Sequence, residues 1–105
     1  MKYQMFLGSY SGDAGDSLTY HNGSRFSTED QDNDANSKSC STEYGGDGGW
    51  WFNTCVHSNL NGVYHKSGKS SKSWRGISWN NFGGSTVSLK RTTMKIRPSY
   101  FAIPL

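Results

Sequence analysis

From Ser27 to Gly49 the chain runs almost wholly through polar residues and glycine, with neither a helical nor a strand period, and then meets Trp50-Trp51-Phe52. A structureless stretch longer than about fifteen residues is uncommon inside a compact domain and calls for a cause. Disorder is one cause. Two features argue instead that the stretch is tied down: Cys40 lies inside it, and the large aromatics follow it directly. A bound cation would supply the missing order, and Asp30-Gln31-Asp32-Asn33-Asp34 is the place for one.

The rest of the chain offers little to offset such a loop. It has 105 residues, of which only 32% are apolar, with 13 glycines and 14% aromatics. One domain at most can form, near the size where burial only just balances chain entropy. A layered aliphatic core is excluded. The composition predicts turn-rich backbone hung on a few aromatic side chains, with staples to hold it. Trp50, Trp51 and Phe52 read as that local core rather than as an exposed platform, and Trp79 and Phe82 read the same way. Cys40 and Cys55 fit no zinc or redox motif, which leaves a disulfide or two buried thiols. The small apolar fraction favours the disulfide, and with it an oxidising compartment.

Weak elements flank the loop. Lys2–Leu7 alternates as a strand, a short helix is expected from Asp16 with Asp13 or Asp16 as its cap, and Asn22-Gly23 signals a hairpin. Asn22 also heads an N-x-S glycosylation sequence. Ser58–Tyr64 reads as a turn entering a strand, Lys66–Arg75 as a surface loop, and 87–97 as the best strand pattern before Pro98. No stretch is apolar enough to span a membrane, and no signal peptide is visible, so a fragment of a longer secreted chain is expected.

Charge is split along the chain. Residues 1–47 carry eight acids and three bases, and residues 48–105 carry eight bases and no acid, giving −5 and +8. Lys66–Arg75 raises the question of a polyanion site for heparin or nucleic acid, against which a solvated loop is preferred. For catalysis there is no nucleophile elbow, no H-E-x-x-H and no carboxylate pair outside the acidic loop, and His21, His57 and His65 read as turn or surface residues.

In the acidic loop, carboxylates two residues apart can turn towards one centre, where their repulsion is costly unless a cation neutralises it. Oxygen donors without His or Cys favour Ca²⁺. An EF-hand is excluded: counted from Asp30, the sixth position is Ala35 and the twelfth is Ser41.

Gly15–Gly23, Phe26-Ser27-Thr28, Asp30–Asp34, Cys40, Trp50–Cys55, Ser58–Tyr64 and Met94–Pro98, in that order, closely resemble the C-terminal half of a fibrinogen-like domain, as in ficolins, tachylectins, tenascins and angiopoietins. The resemblance implies an α+β fold of short strands, short helices and long braced loops. A central-sheet remnant would occupy about 1–26 and 85–98, and a calcium and ligand-recognition subdomain about 27–84. It implies Ca²⁺ held by the side chains of Asp32 and Asp34 and the carbonyls of Asn36 and Lys38, and a Cys40–Cys55 disulfide. It also implies an extracellular setting, in innate immunity or the matrix, and a parent protein that is a homo-oligomer.

Lectin members of the family place an acetyl-group pocket beside this loop, with a cis peptide before the second cysteine. Carried over, Tyr44 is a pocket tyrosine, Thr54-Cys55 the cis bond, and the Cys55 N–H a donor. The sequence departs from the lectins in three places. Val56 stands where they carry His, with His57 one place late; Ser73 or Trp74 falls where a second tyrosine is expected; and two extra residues appear near Gly45–Gly49. The implied function is calcium-dependent recognition of acetylated sugars or other acetylated ligands, with protein–protein recognition in the matrix or at receptors as the alternative. Membrane insertion and nucleic-acid binding are not expected.

Overall fold

The computed structural model describes residues 3–44 and 48–98. Regular structure among them is sparse: a 3-10 turn at Thr19–His21, helix α1 at Cys40–Glu43, and strands β1 at Ser58–Asn59 and β2 at Ser78–Trp79. The strands pair antiparallel, Ser58 opposite Trp79 and Asn59 opposite Ser78. The architecture is α+β, as the resemblance implies, in the loop-dominated form that the composition predicts.

The apolar core is as small as expected. Cys40, Trp50, Phe52 and Val56 form its buried centre, and Leu18, Trp51, Cys55, Leu60 and Trp74 pack around them. Among the described residues, only Met5 adds to the buried apolar residues, whereas nine polar residues are buried, seven of them serines. Most buried hydroxyls find a partner, and here several replace missing ladder bonds, whereas those of Ser58 and Ser78 have none among the described residues. The Ser17 hydroxyl donates to Asn81 Oδ1 (2.6 Å) and accepts the Asn81 N–H (2.9 Å). The Ser88 hydroxyl accepts the Ile77 N–H (3.1 Å), and that of Ser41 donates to the Gly48 carbonyl (2.8 Å).

Several local expectations fail, and those for the two terminal strands fail for lack of a pairing partner. Residues 3–7 and 87–97 form no strand beyond a single bridge between Lys69 and Val87. Met5 does exchange hydrogen bonds with Gly23 and Ser24 (2.7 and 2.9 Å). The alternating apolar side chains of 94–96 stay largely in solvent, with Ile96 71% exposed. Asn22-Gly23 closes the 3-10 turn instead of a hairpin: the Ser24 N–H donates to the His21 carbonyl (3.0 Å) while Gly23 takes φ +81°. The helix expected from Asp16 shrinks to that turn. Asp16 caps it, accepting the Leu18 and Thr19 N–H groups (both 3.0 Å) and the Thr19 hydroxyl, and these bonds lower its pKa, the Thr19 hydroxyl most. At Ser58–Tyr64 the strand precedes the turn. Trp79 is held by its Nε1–H on the Gly15 carbonyl (2.7 Å), but Phe82 is exposed.

The strand-poor middle depends on close backbone approach. Val63 bridges Gly76, and a Cβ placed on Gly62 would lie 2.0 Å from the Gly76 carbonyl oxygen. Gly62→Ala is therefore expected to destabilise the chain by roughly 1–3 kcal/mol, the usual cost of overpacking. A lowered urea midpoint with an unchanged slope would show it, and an unchanged midpoint would mean that the approach is dispensable.

Candidate functional site

Asp34 is the pivot of the acidic loop. Its carboxylate accepts the Asn36 N–H on one oxygen (2.9 Å) and the Cys40 N–H on the other (2.8 Å). The second bond reaches the first residue of α1, where Ser39 supplies the side-chain cap. A four-residue helix has little stability of its own, so the loop carboxylate and the Cys40 link hold it. Neighbouring residues pin the loop further: Asn33 donates from its backbone to the Ser27 hydroxyl and from its side chain to the Phe26 carbonyl (both 2.8 Å). Part of the order that a cation was expected to supply thus comes from Ser27, Asn33 and Asp34 themselves.

The loop retains a charge conflict. The Asp34 N–H donates to Asp32 Oδ1 (3.1 Å), so the carboxylates are neighbours. Burial, with the Asp32 charge as a lesser contribution, raises the Asp34 pKa against the two backbone bonds that lower it. An oxygen-only donor set with a disfavoured negative charge fits a hard divalent cation. Among the described residues, the carbonyls of Asn36 and Lys38 accept no hydrogen bond. The residues present fit Ca²⁺: Asp32 and Asp34 would supply carboxylates, and Asn36 and Lys38 carbonyls. Bound there, the ion would neutralise the pair.

Cys40 and Cys55 are joined, with Cα atoms 5.5 Å apart, and the Thr54–Cys55 peptide is cis. The Asn36 amide donates to Cys55 Sγ (3.3 Å), tying acidic loop and disulfide together. Just beyond Cys55 in the chain, His57 and Ser58 meet His21. Expected as a turn or surface residue, it is fully buried. Its Nε2 faces the N–H groups of His57 (3.1 Å) and Ser58 (3.2 Å), and its Nδ1 lies 2.9 Å from the Trp51 carbonyl. Two donors against Nε2 and an acceptor at Nδ1 require the neutral ring with its proton on Nδ1. Burial is the main cause that lowers its pKa to about 4. This role is invisible in sequence because its partners come from residues 51, 57 and 58.

Beyond α1 an open cleft of about 520 Å³ is lined by Thr42, Glu43, Tyr44, Lys72, Ser73 and Arg75. Arg75 Nη1 donates to the Glu43 carbonyl (3.1 Å) and the Thr42 carbonyl (3.5 Å), finishing the last turn of α1. The structure thus brings Tyr44 and Ser73 together. It does not bring the other expected residues to the same walls. Val56 is buried in the core, Trp74 packs against that core, and the exposed His57 stacks on Tyr20 at 3.8 Å between ring centroids. Thr54 is exposed, and its carbonyl accepts the Tyr20 hydroxyl (2.6 Å). Asn22 is exposed, with Oδ1 accepting the Leu7 N–H (2.9 Å). Gly45–Asp47 lie outside the described residues, and with them much of the expected two-residue insertion. Sequence offers no role for Glu43 and places Lys72 and Arg75 only in the Lys66–Arg75 basic run, because nothing local pairs residue 43 with residue 75.

The family described as fibrinogen beta and gamma chains, C-terminal globular domain, matches residues 1–99. The chain belongs to this family. Bovine angiopoietin-related protein 7 is 51% identical over 100 residues, covering 94% of this chain and 28% of that protein. The solved fibrinogen-like globe domain of human ANGPTL2 superposes with a TM-score of 0.77 at 44% identity, covering 83% of this chain and 40% of that one. Lamprey fibrin D-dimer, solved with the peptide ligand Gly-His-Arg-Pro-amide, gives 0.68 at 30% identity over 75% of this chain and 30% of its own. The chain therefore spans well under half of the length of each. A fibrinogen-like domain of this kind is a recognition module, not an enzyme. No helix among the described residues is long and apolar enough to cross a membrane.

Proposed function

We propose that this fibrinogen-like chain is the calcium-braced recognition portion of an extracellular protein, and that it binds a protein partner through the cleft between α1 and residues 72–75. The character of that cleft carries the reading. Its walls bring one carboxylate, two cationic side chains, a tyrosine and two hydroxyls to a single opening. Charged and hydroxyl groups set among apolar surface suit a polypeptide. An acetyl group needs an apolar wall for its methyl, and Val56 and Trp74 are spent in the core. The angiopoietin-related kinship and the peptide complex of a structural relative support the same reading. Calcium at Asp32 and Asp34 would act on the cleft indirectly, through the Asp34–Cys40 bond that seats α1.

The test is an array of receptor and matrix ectodomains probed with the chain in calcium, beside resins carrying N-acetylglucosamine and acetylated albumin. Retention by at least one ectodomain is expected, abolished by Tyr44→Ala with Lys72→Glu and weakened at least tenfold by chelator. Calcium should also raise the melting temperature, and Asp32→Asn with Asp34→Asn should remove that shift. Retention on the acetylated resins alone would overturn the protein-partner reading, and a melting temperature indifferent to calcium would overturn the brace.

A further inference from the structure

Lys66–Arg75, preferred in sequence as a plain solvated loop, is held along its length. Ser70 N–H donates to the Thr86 carbonyl (2.7 Å), Trp74 N–H to that of Ser85 (2.7 Å), and Ser88 N–H to that of Gly68 (2.8 Å). Within it, Ser67-Gly68-Lys69 and Ser70-Ser71-Lys72 repeat one device. Each serine hydroxyl accepts the N–H of the lysine two residues on (3.3 Å in both) and lies within hydrogen-bond reach of that lysine's carbonyl. The backbone of Lys69 and Lys72 is thereby set, while both side chains remain exposed.

The same pairing brings in a second basic run. Gly68 and Ser88 are joined, Lys66 is two residues before the first, and Lys90 and Arg91 are two and three residues after the second. At no more than about 3.5 Å per residue, Lys66 and Lys90 each stay within about 7 Å of that bond. All three of these bases are exposed, and residues 48–98 contain no carboxylate to oppose them. Glu43, brought in by the cleft, sits at the far end beside Lys72 and Arg75.

The geometry points to this pair of adjoining segments, with Lys66, Lys69 and Lys72 on one and Lys90 and Arg91 on the other, as a binding site for a sulfated polysaccharide of the extracellular surroundings. Point-charge ammonium groups on a pre-set backbone suit sulfates spaced along a chain, and ordering them in advance lowers the entropy lost on binding. The disulfide places the protein where such polymers occur and nucleic acid is scarce. Most of these bases lie outside the protein-binding cleft, so the site stands or falls apart from it.

Retention on immobilised heparin, with affinity measured against salt concentration, tests the assignment. The wild-type chain is expected to bind with log K falling linearly in log salt, as counterion release requires. Lys66→Ala, Lys69→Ala and Lys90→Ala together, none of them in the cleft, should weaken binding at least tenfold and reduce the slope by about three. An unaltered melting curve would certify the triple variant, and Arg25→Ala should bind as wild type. A salt-independent wild-type affinity, or a triple variant that binds like wild type, would overturn the proposal. So would equal affinity for desulfated heparin or for single-stranded DNA of matched charge.

Discussion

Opening the Cys40–Cys55 bridge is expected to lower the melting temperature by about 15 °C. A loop with a separation of 15 residues contributes about 3 kcal/mol by restricting the unfolded chain, and each kcal/mol shifts the midpoint of a domain this small by roughly 4–8 °C. Structural reasons add to the entropic one. Both cysteines belong to the one apolar cluster, and Cys40 is fully buried there. Cys40 also starts α1 and donates to Asp34, so losing the bridge loosens the acidic loop and one wall of the cleft together. Thermal melts of the oxidised chain, the reduced chain and Cys40→Ser with Cys55→Ser decide the matter. Should the reduced chain melt within about 2 °C of the oxidised one, the bridge is an ornament and the core must be stronger than its four buried centres suggest.

His21 is the second point of failure, and its effect depends on pH. The folded-state pKa lies at about 4 against an ordinary 6.5, so the unfolded chain takes up a proton first as pH falls. Stability is therefore full above pH 6.5, declines between 6.5 and 4, and stops declining below that window. The loss amounts to about 3 kcal/mol. Protonation puts a hydrogen on Nε2, against the His57 and Ser58 N–H groups that it now accepts. His21→Ala would leave those donors and the Trp51 carbonyl buried without partners, at about 1–3 kcal/mol for each such group. The variant should thus be weak at every pH and nearly flat between pH 6.5 and 4, apart from carboxylate effects common to both proteins. Urea midpoints for the two proteins across that range supply the check. Parallel pH profiles would show that His21 is not the titrating group.

What sequence alone determined is the character of this protein: too few apolar residues for layered packing, a loop needing a brace, and a motif order that marks a fibrinogen-like chain. Those properties are legible because they are local or sequential. Trp50-Trp51-Phe52 announces a core by bulk in a chain that has little else to bury. Tertiary structure decided everything that needed partners from afar. The period at 87–97 could not say that only one bridge would find a mate. Ser17, Ser41, Ser70 and Ser88 look like surface until their distant or turn-borne acceptors appear. His21 became a core residue because Trp51, His57 and Ser58 converge on its ring. Between Ser27 and Gly49, the need for order was written in the chain. The means of meeting it, through Ser27, Asn33 and the Asp34 bond to Cys40, depended on which backbone donors lay within reach.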